Sequence, residues 1–170
     1  MMKKIIVIGC PGSGKSTFAR ALHEATAIPL VHLDMLYWNA DRTIVPKPVF
    51  LQRLQDAIAQ EAWIIDGNYG STMEMRLQAA DTVFFLDYST EVCLAGIEAR
   101  KGKPRADLPW IEPADDPEDT EFTEYVKTFY ETNRPSILEL VARFPEKNVI
   151  VFHERMEAEK FLRNLYTKNT

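Results

Sequence analysis

The chain is poor in the residues that staple a fold or anchor it elsewhere. Two cysteines, Cys10 and Cys93, among 170 residues give neither a disulfide framework nor metal-ligand spacing, which points to a reducing, cytoplasmic setting. No apolar run approaches the ~20 residues of a membrane span. Lys3-Lys4 before Ile5-Ile6-Val7-Ile8 has the outline of a secretion signal, but the run is too short and a glycine-rich loop follows at once. Positive charge is short as well. Twenty Lys and Arg against 25 Asp and Glu leave a net charge of −5, the wrong sign for a surface built on DNA or an anionic membrane. Repeats and low-complexity tracts are missing. With 46% hydrophobic and 26% charged residues, the composition is that of one soluble domain with a sizeable core.

Glycine is sparse too, at seven residues, yet three stand at positions 9, 12 and 14. They belong to Gly9-Cys10-Pro11-Gly12-Ser13-Gly14-Lys15-Ser16, a complete G-x-x-x-x-G-K-[ST] phosphate-binding loop. Upstream, Lys4-Ile5-Ile6-Val7-Ile8 reads as a buried strand; downstream, Ser16 to Ala25 reads as a helix. Strand, loop and helix together are the context the motif requires; a chance glycine turn would lack it. In such a loop, main-chain N–H groups converge on an anion at the helix N-terminus. The pattern therefore sets Gly9, Pro11, Gly12, Ser13, Gly14, Lys15, Ser16 and Thr17 around a nucleotide's phosphates. Lys15 supplies a full positive charge for the β- and γ-phosphates. Ser16 offers a hydroxyl to Mg²⁺, a hard cation that takes oxygen ligands. Thr17 reads as packing or capping rather than binding metal, and Cys10 and Pro11 fill variable positions.

Strand-like runs recur at Ile5 to Ile8, Leu30 to Leu33, Trp63 to Ile65, Val83 to Leu86 and Val149 to Phe152. Continuous apolar runs predict strands buried on both faces of a parallel sheet. Helical stripes lie between them: Phe50, Leu54, Ala57 and Ile58; Val92, Leu94, Ala95 and Ile97; Phe122, Val126, Phe129 and Tyr130; Ala158, Phe161, Leu162 and Leu165. This alternation predicts a three-layer α/β fold. Ligands in such sheets sit beyond the carboxyl ends of the strands, which makes Asp34, Asp66, Asp87 and His153 candidates. Asp66, before Gly67, fits a Mg²⁺ ligand opposite Ser16 or the start of an Asp-Gly turn. Asp34 fits a group that orients or deprotonates an acceptor hydroxyl, or a helix cap. Asp87 reads as the cap of a helix over Thr90 to Arg100. His32 reads as a satisfied buried histidine.

Residues 100 to 117 carry Pro104, Pro109, Pro113 and Pro117 and cannot form one helix. The segment opens basic (Arg100, Lys101, Lys103, Arg105) and turns acidic. It suits a lid over a reacting phosphate, or a solvated linker. Asp116-Pro117-Glu118-Asp119 reads as a helix start. Arg100, Arg105 and Arg134 are the cations expected to neutralise a transferring phosphoryl group. Pro135 predicts a kink or restart beside Arg134. Arg76, Tyr37, Trp38 and Tyr69 are candidates for an acceptor pocket or for packing.

These residues resemble the adenylate-kinase-like P-loop kinases, and among them the bacterial family of DNA topology modulation proteins. The resemblance runs nearly the whole length. It rests on I-I-V-I-G-C-P-G-S-G-K-S-T, H-L-D-M-L-Y-W, W-I-I-D-G-N-Y, T-V-F-F-L-D, A-R-K-G-K-P-R-A-D and N-R-P-S-I-L-E-L. It implies a five-stranded parallel sheet ordered 2-3-1-4-5, a small lid, ATP with Mg²⁺, and transfer of the γ-phosphoryl group to a small acceptor: nucleotide, nucleoside or hydroxylated metabolite. It also implies that His153 to Arg155 lie near the adenine. The chain departs from adenylate kinases at two places. Tyr37 stands three residues after Asp34 where an arginine is expected, and Asp66-Gly67-Asn68-Tyr69-Gly70 replaces Asp-Gly-Phe-Pro-Arg. Both arginines that would grip a nucleoside monophosphate are thus missing, with Arg42 and Arg76 as possible substitutes. An aspartate at 34 is similar to kinases of small hydroxylated metabolites. The alternative is a nucleotide-dependent regulatory module, linked to DNA topology and acting through a partner without small-molecule turnover. The family name notwithstanding, direct nucleic-acid binding is not expected, and the expected state is monomer or homodimer.

Overall fold

The structure is a computed structural model that describes residues 1–114 and 119–169. The helix start expected at Asp116-Pro117-Glu118 falls outside the described residues. Strands β1 (Lys4–Gly9), β2 (Leu30–His32), β3 (Trp63–Asp66), β4 (Thr82–Leu86) and β5 (Asn148–Phe152) form one parallel sheet in the order β2-β3-β1-β4-β5. This is the expected α/β architecture and strand order. Helices α1 (Lys15–Thr26), α2 (Leu33–Tyr37), α3 (Lys47–Ile58), α4 (Gly70–Ala79), α5 (Thr90–Arg100), α6 (Asp119–Thr132), α7 (Arg134–Ala142) and α8 (Arg155–Asn169) connect and cover it.

The three central strands behave as their apolar runs dictate. Ile5, Ile6, Val7, Ile8, Trp63, Ile64, Ile65, Val83, Phe84 and Phe85 are all buried. Phe84 anchors one layer: Phe18 of α1 lies 5.1 Å from its ring, and Phe161 of α8 lies 5.1 Å from it. Phe152 meets Phe18 at 5.6 Å and closes the same cluster. Such rings prefer tilted or edge-on contacts, which adds to the area they remove from water.

The two edge strands differ from the two-sided burial expected of them. In β5, Val149 and Val151 remain 37% and 36% exposed, and β2 is only half-buried throughout. An edge strand has one neighbour, so an apolar run there reports sheet membership without full cover. Strand β2 also ends one residue early. Leu33 turns in and opens α2, so Asp34 sits in the first turn of a short helix rather than at a strand end. Helix α6 stops at Thr132 and α7 restarts at Arg134, with Pro135 in its first turn where a missing N–H costs nothing.

Candidate functional site

The loop between β1 and α1 sits at the carboxyl end of the central strand. Gly14 takes φ 92° and Gly12 takes φ 85°, left-handed conformations that side chains rarely adopt. A β-carbon on Gly12 would lie 2.0 Å from the Cys93 carbonyl oxygen, so the loop backbone presses directly on α5. Phe18 N–H makes the first α1 bond, to Gly14 O at 2.9 Å. The N–H groups of Lys15, Ser16 and Thr17, in the first turn, therefore have no intrahelical partner and face an incoming anion. Lys15 Nζ donates to Cys10 O at 3.3 Å and arches over the loop. Burial lowers its pKa, and nearby Asp66 opposes that. Ser13 Oγ is buried beneath the loop with no partner among the described residues.

A cleft of about 1410 Å³ opens over this loop. Its lining includes Pro11, Gly12 and Gly14 to Thr17 on one side, Asp34 and Trp38 on another, and Asp66 to Gly70 between them. Of the expected phosphate-loop residues, Gly9 and Ser13 do not line it. Gly9 instead fixes the loop's base: Asn68 Nδ2 donates to Gly9 O at 2.7 Å, and Gly9 N–H donates to Asn68 Oδ1 at 3.2 Å.

The oxygen donors for a divalent cation are of the right kind. Asp66 is buried and takes a hydrogen bond from His32 Nδ1 at 2.8 Å, which orients its carboxylate and gives His32 the partner expected of it. Ser16 Oγ accepts from Arg20 Nη1 at 2.9 Å. Ser16 and Asp66 line the same cleft, and hard oxygens completed by phosphates are what Mg²⁺ takes. Among the described residues no cluster of three or more His, Cys, Asp or Glu forms an all-protein metal site. Thr17 is exposed and its hydroxyl accepts from Arg20 at 3.4 Å, a local contact as expected.

At the far end, Asp34 Oδ1 accepts a short hydrogen bond from the Tyr69 hydroxyl. Burial raises the Asp34 pKa, the Tyr69 bond opposes this, and the Asp107 carboxylate adds to the rise. Tyr69 itself sits at φ 34°, a strained position for a residue with a β-carbon. Arg76 over-determines that turn. It is fully buried, and its guanidinium donates to Gly67 O at 2.9 Å, to Asn68 O, and to Tyr69 O at 3.4 Å. Arg76 is thus a structural clamp and does not stand in for a missing phosphate-gripping arginine. Asn68 and the Arg76 clamp escape sequence reading, because each acts on main-chain atoms and leaves no side-chain pattern.

The cations expected to close over a reacting phosphate divide. Arg100 and Arg105 line the cleft. Arg105 grips Asp107 through Nε at 3.0 Å and Nη2 at 2.5 Å, and its Nη1 lies 3.0 Å from Glu112. Arg100 Nε lies 3.2 Å from the other Glu112 oxygen. Arg134 does not join them. Asp87 holds it by a fork at 2.8 Å from both Nε and Nη2, and Tyr130 covers it at 4.5 Å. Asp87 therefore pairs with Arg134 rather than capping α5; Ser89 is the cap, its Oγ accepting from Val92 N–H at 3.4 Å. His153 is exposed, 3.8 Å from Asp87, and outside the cleft lining. Arg155 lines the cleft, but its guanidinium donates to Ser13 O at 2.8 Å and Gly12 O at 3.0 Å, bracing the loop from behind. Both cysteines are buried and free.

Among solved structures, the chain is similar to a shikimate kinase from Acinetobacter baumannii in complex with shikimate, at 16% identity over 99% of this chain and 95% of that one, with TM-score 0.59. It is similar to the shikimate kinase from Bacteroides thetaiotaomicron at 17% identity, 99% and 98% coverage and TM-score 0.61. It is also similar to an unliganded sugar kinase from Janibacter sp. at 18% identity, 98% and 94% coverage and TM-score 0.54. These likenesses show the fold alone, an α/β architecture with a five-stranded parallel sheet in the order β2-β3-β1-β4-β5. No protein-family model matches the chain, and no curated protein sequence matches it.

Proposed function

We propose that the chain is an ATP-dependent phosphotransferase of the adenylate-kinase-like type, nearest in motifs to the DNA topology modulation proteins, and that it phosphorylates a hydroxyl of a small acceptor. One observation carries this reading: a single cleft is lined both by the phosphate loop and by Asp34, with Asp66 between them. Donor and acceptor can therefore meet in one cavity, as direct transfer requires.

In this reading the free N–H groups opening α1 and the Lys15 ammonium hold the β- and γ-phosphates. Ser16 and Asp66 would hold Mg²⁺, which would supply charge neutralisation for the phosphates. The acceptor oxygen attacks the γ-phosphorus as the bond to the β,γ-bridging oxygen breaks. The hydroxyl proton passes to Asp34 and the bridging electron pair leaves with ADP. Arg100 and Arg105 close over the developing charge when they exchange Glu112 and Asp107 for phosphate. Arg155 acts one step removed, by fixing the loop carbonyls at the nucleotide end. The unit is one domain with a lid inserted at about residues 100–117. It works in the cytoplasm as a monomer or homodimer, on a small molecule and without direct contact to nucleic acid.

An ATP-consumption screen against nucleoside monophosphates, nucleosides and small alcohols tests the reading, with product detection by phosphorus NMR. Transfer to any of them supports it. Absence of transfer to all, combined with ATP-dependent capture of a partner protein, overturns it in favour of a regulatory module.

A further inference from the structure

The charges around the cleft are unevenly distributed. Five cations line it, and each is either at the phosphate end or already engaged. Lys15 arches over the loop, Arg20 holds Ser16, and Arg155 holds the Gly12 and Ser13 carbonyls. Arg100 and Arg105 are bound by Glu112 and Asp107. Arg42, Arg76 and Arg134, outside the lining, are engaged elsewhere, Arg42 lying 5.6 Å over the Trp110 ring. Among the described residues the lining carboxylates are Asp34, Asp66 and Asp107. Asp66 has His32 and Asp107 has Arg105 as hydrogen-bond partners, whereas among the described residues the hydrogen bond to Asp34 comes from the neutral Tyr69 hydroxyl, which occupies one oxygen, with Lys15 and Arg100 acting on its charge from farther off. The second Asp34 oxygen has no partner among the described residues. The two positions where adenylate kinases carry phosphate-gripping arginines hold Tyr37 and Gly70.

The acceptor end is therefore rich in hydrogen-bond acceptors and negative charge. Its wall is apolar and flat: Trp38, Tyr69 and Met73 line it, and the Trp38 ring packs edge-on at 5.3 Å against Trp110. Such a wall suits the C–H face of a ring, and the free carboxylate oxygen suits a hydroxyl or ammonium donor.

We propose that the acceptor is a cyclic polyol, with or without amino groups, that carries no phosphate or carboxylate of its own, and that Asp34 with Asp107 excludes anionic analogues. The inference rests on the phosphotransferase reading and narrows its substrate class. Lid closure sharpens the exclusion. As Arg105 moves to the triphosphate, the Asp107 carboxylate, which lines the cleft, loses its partner and turns the acceptor end more negative. A buried like charge facing Asp34 is then disfavoured on binding. The transfer is the one already written: a hydroxyl oxygen of the polyol gains the phosphoryl group, its proton goes to Asp34, and ADP leaves.

The test is a paired panel with the full chain, ATP and Mg²⁺. One arm holds myo-inositol, glucose and glucosamine; the other holds shikimate, glucuronate, glucose 6-phosphate and AMP. ATP binding is followed separately by calorimetry. The expected result is transfer within the first arm, with kcat/KM for every anionic compound at least about tenfold lower. Asp107→Asn is expected to narrow that gap by raising the anionic arm. Equal or better use of an anionic compound overturns the inference and leaves the phosphotransferase reading standing. So does ATP binding with no transfer to the first arm. Loss of ATP binding itself removes the phosphotransferase reading and this inference together.

Discussion

Asp34 carries its charge where the protein replaces water, and that has opposite consequences for activity and stability. Burial raises its pKa, and the Tyr69 hydrogen bond offsets part of the rise. In its proposed role as proton acceptor it must be ionised, so the rate of transfer is expected to rise with pH through a pKa above the ordinary aspartate value. The stability sign is the reverse. As pH rises past the unfolded pKa, the unfolded chain releases a proton that the folded chain retains. Stability therefore falls with pH up to the raised folded pKa and is level above it. Asp34→Asn keeps an oxygen for the Tyr69 hydroxyl and removes the buried charge. The expected outcome is a kcat about 10²–10⁴-fold lower, with loss of the low-pH limb of the rate profile, and at pH 7 a Tm above wild type. Steady-state kinetics across pH and thermal unfolding by circular dichroism check both halves.

At the scale of elements, the turn from Gly67 to Gly70 between β3 and α4 joins the two ends of the cleft. Asn68 clamps the Gly9 main chain, Tyr69 holds Asp34, and Arg76 gathers the carbonyls of Gly67, Asn68 and Tyr69. Arg76→Ala leaves those carbonyls buried without a donor and releases the strained Tyr69 backbone. A loss of about 3 kcal/mol in urea unfolding is expected, with weaker ATP binding because the Gly9 clamp loosens. This turn also marks the boundary of what sequence pattern reveals. The apolar runs of β1, β3 and β4 and the glycine loop are legible because buried strands and a phosphate cradle impose period and spacing on side chains. Arg76 is not, since its partners are carbonyl oxygens that any residue supplies. Arg134 and Asp87 meet across 47 positions of chain, and neither residue's neighbours signal the pair. The lid is legible as a basic, proline-rich tract, but its internal pairing with Asp107 and Glu112 is not. In the proposed reading that pairing competes with phosphate for the same guanidinium groups. Glu112→Gln keeps the lid's backbone bond from Gly102 N–H to the residue 112 carbonyl, 2.7 Å in the wild type, and weakens the hold on Arg100 and Arg105. ATP affinity by calorimetry is expected to rise severalfold; an unchanged affinity would leave the two arginines with no part in phosphate binding.

For the molecule as a whole, the proposed nucleotide site lies at the carboxyl end of the central strand, in a sheet whose two edges are only partly covered. A ligand gripped there binds the folded sheet and not the unfolded chain, so its binding free energy adds to global stability. At a free ATP concentration of 100 Kd that addition is about 2.7 kcal/mol, or ~5–10 °C in Tm for a chain of this size. Lys15→Ala separates the site from the scaffold. The Lys15 ammonium is buried beside the loop at a cost that lowers its pKa, so its removal is expected to leave the ligand-free Tm equal to or above that of wild type. The ATP-induced rise should then fall to a small fraction of the wild-type value, because the loop's N–H groups lose the one full charge that the loop itself brings to the triphosphate. The net charge of −5 repels ATP at long range, and salt screens that repulsion while leaving the short, partly buried contacts intact. The wild-type shift measured with Mg²⁺ should thus change little between about 0.05 and 0.2 M salt. A shift that collapses over that range would locate ATP on exposed surface cations rather than in the loop, and a Lys15→Ala protein that still gains ~5 °C with ATP would say the same.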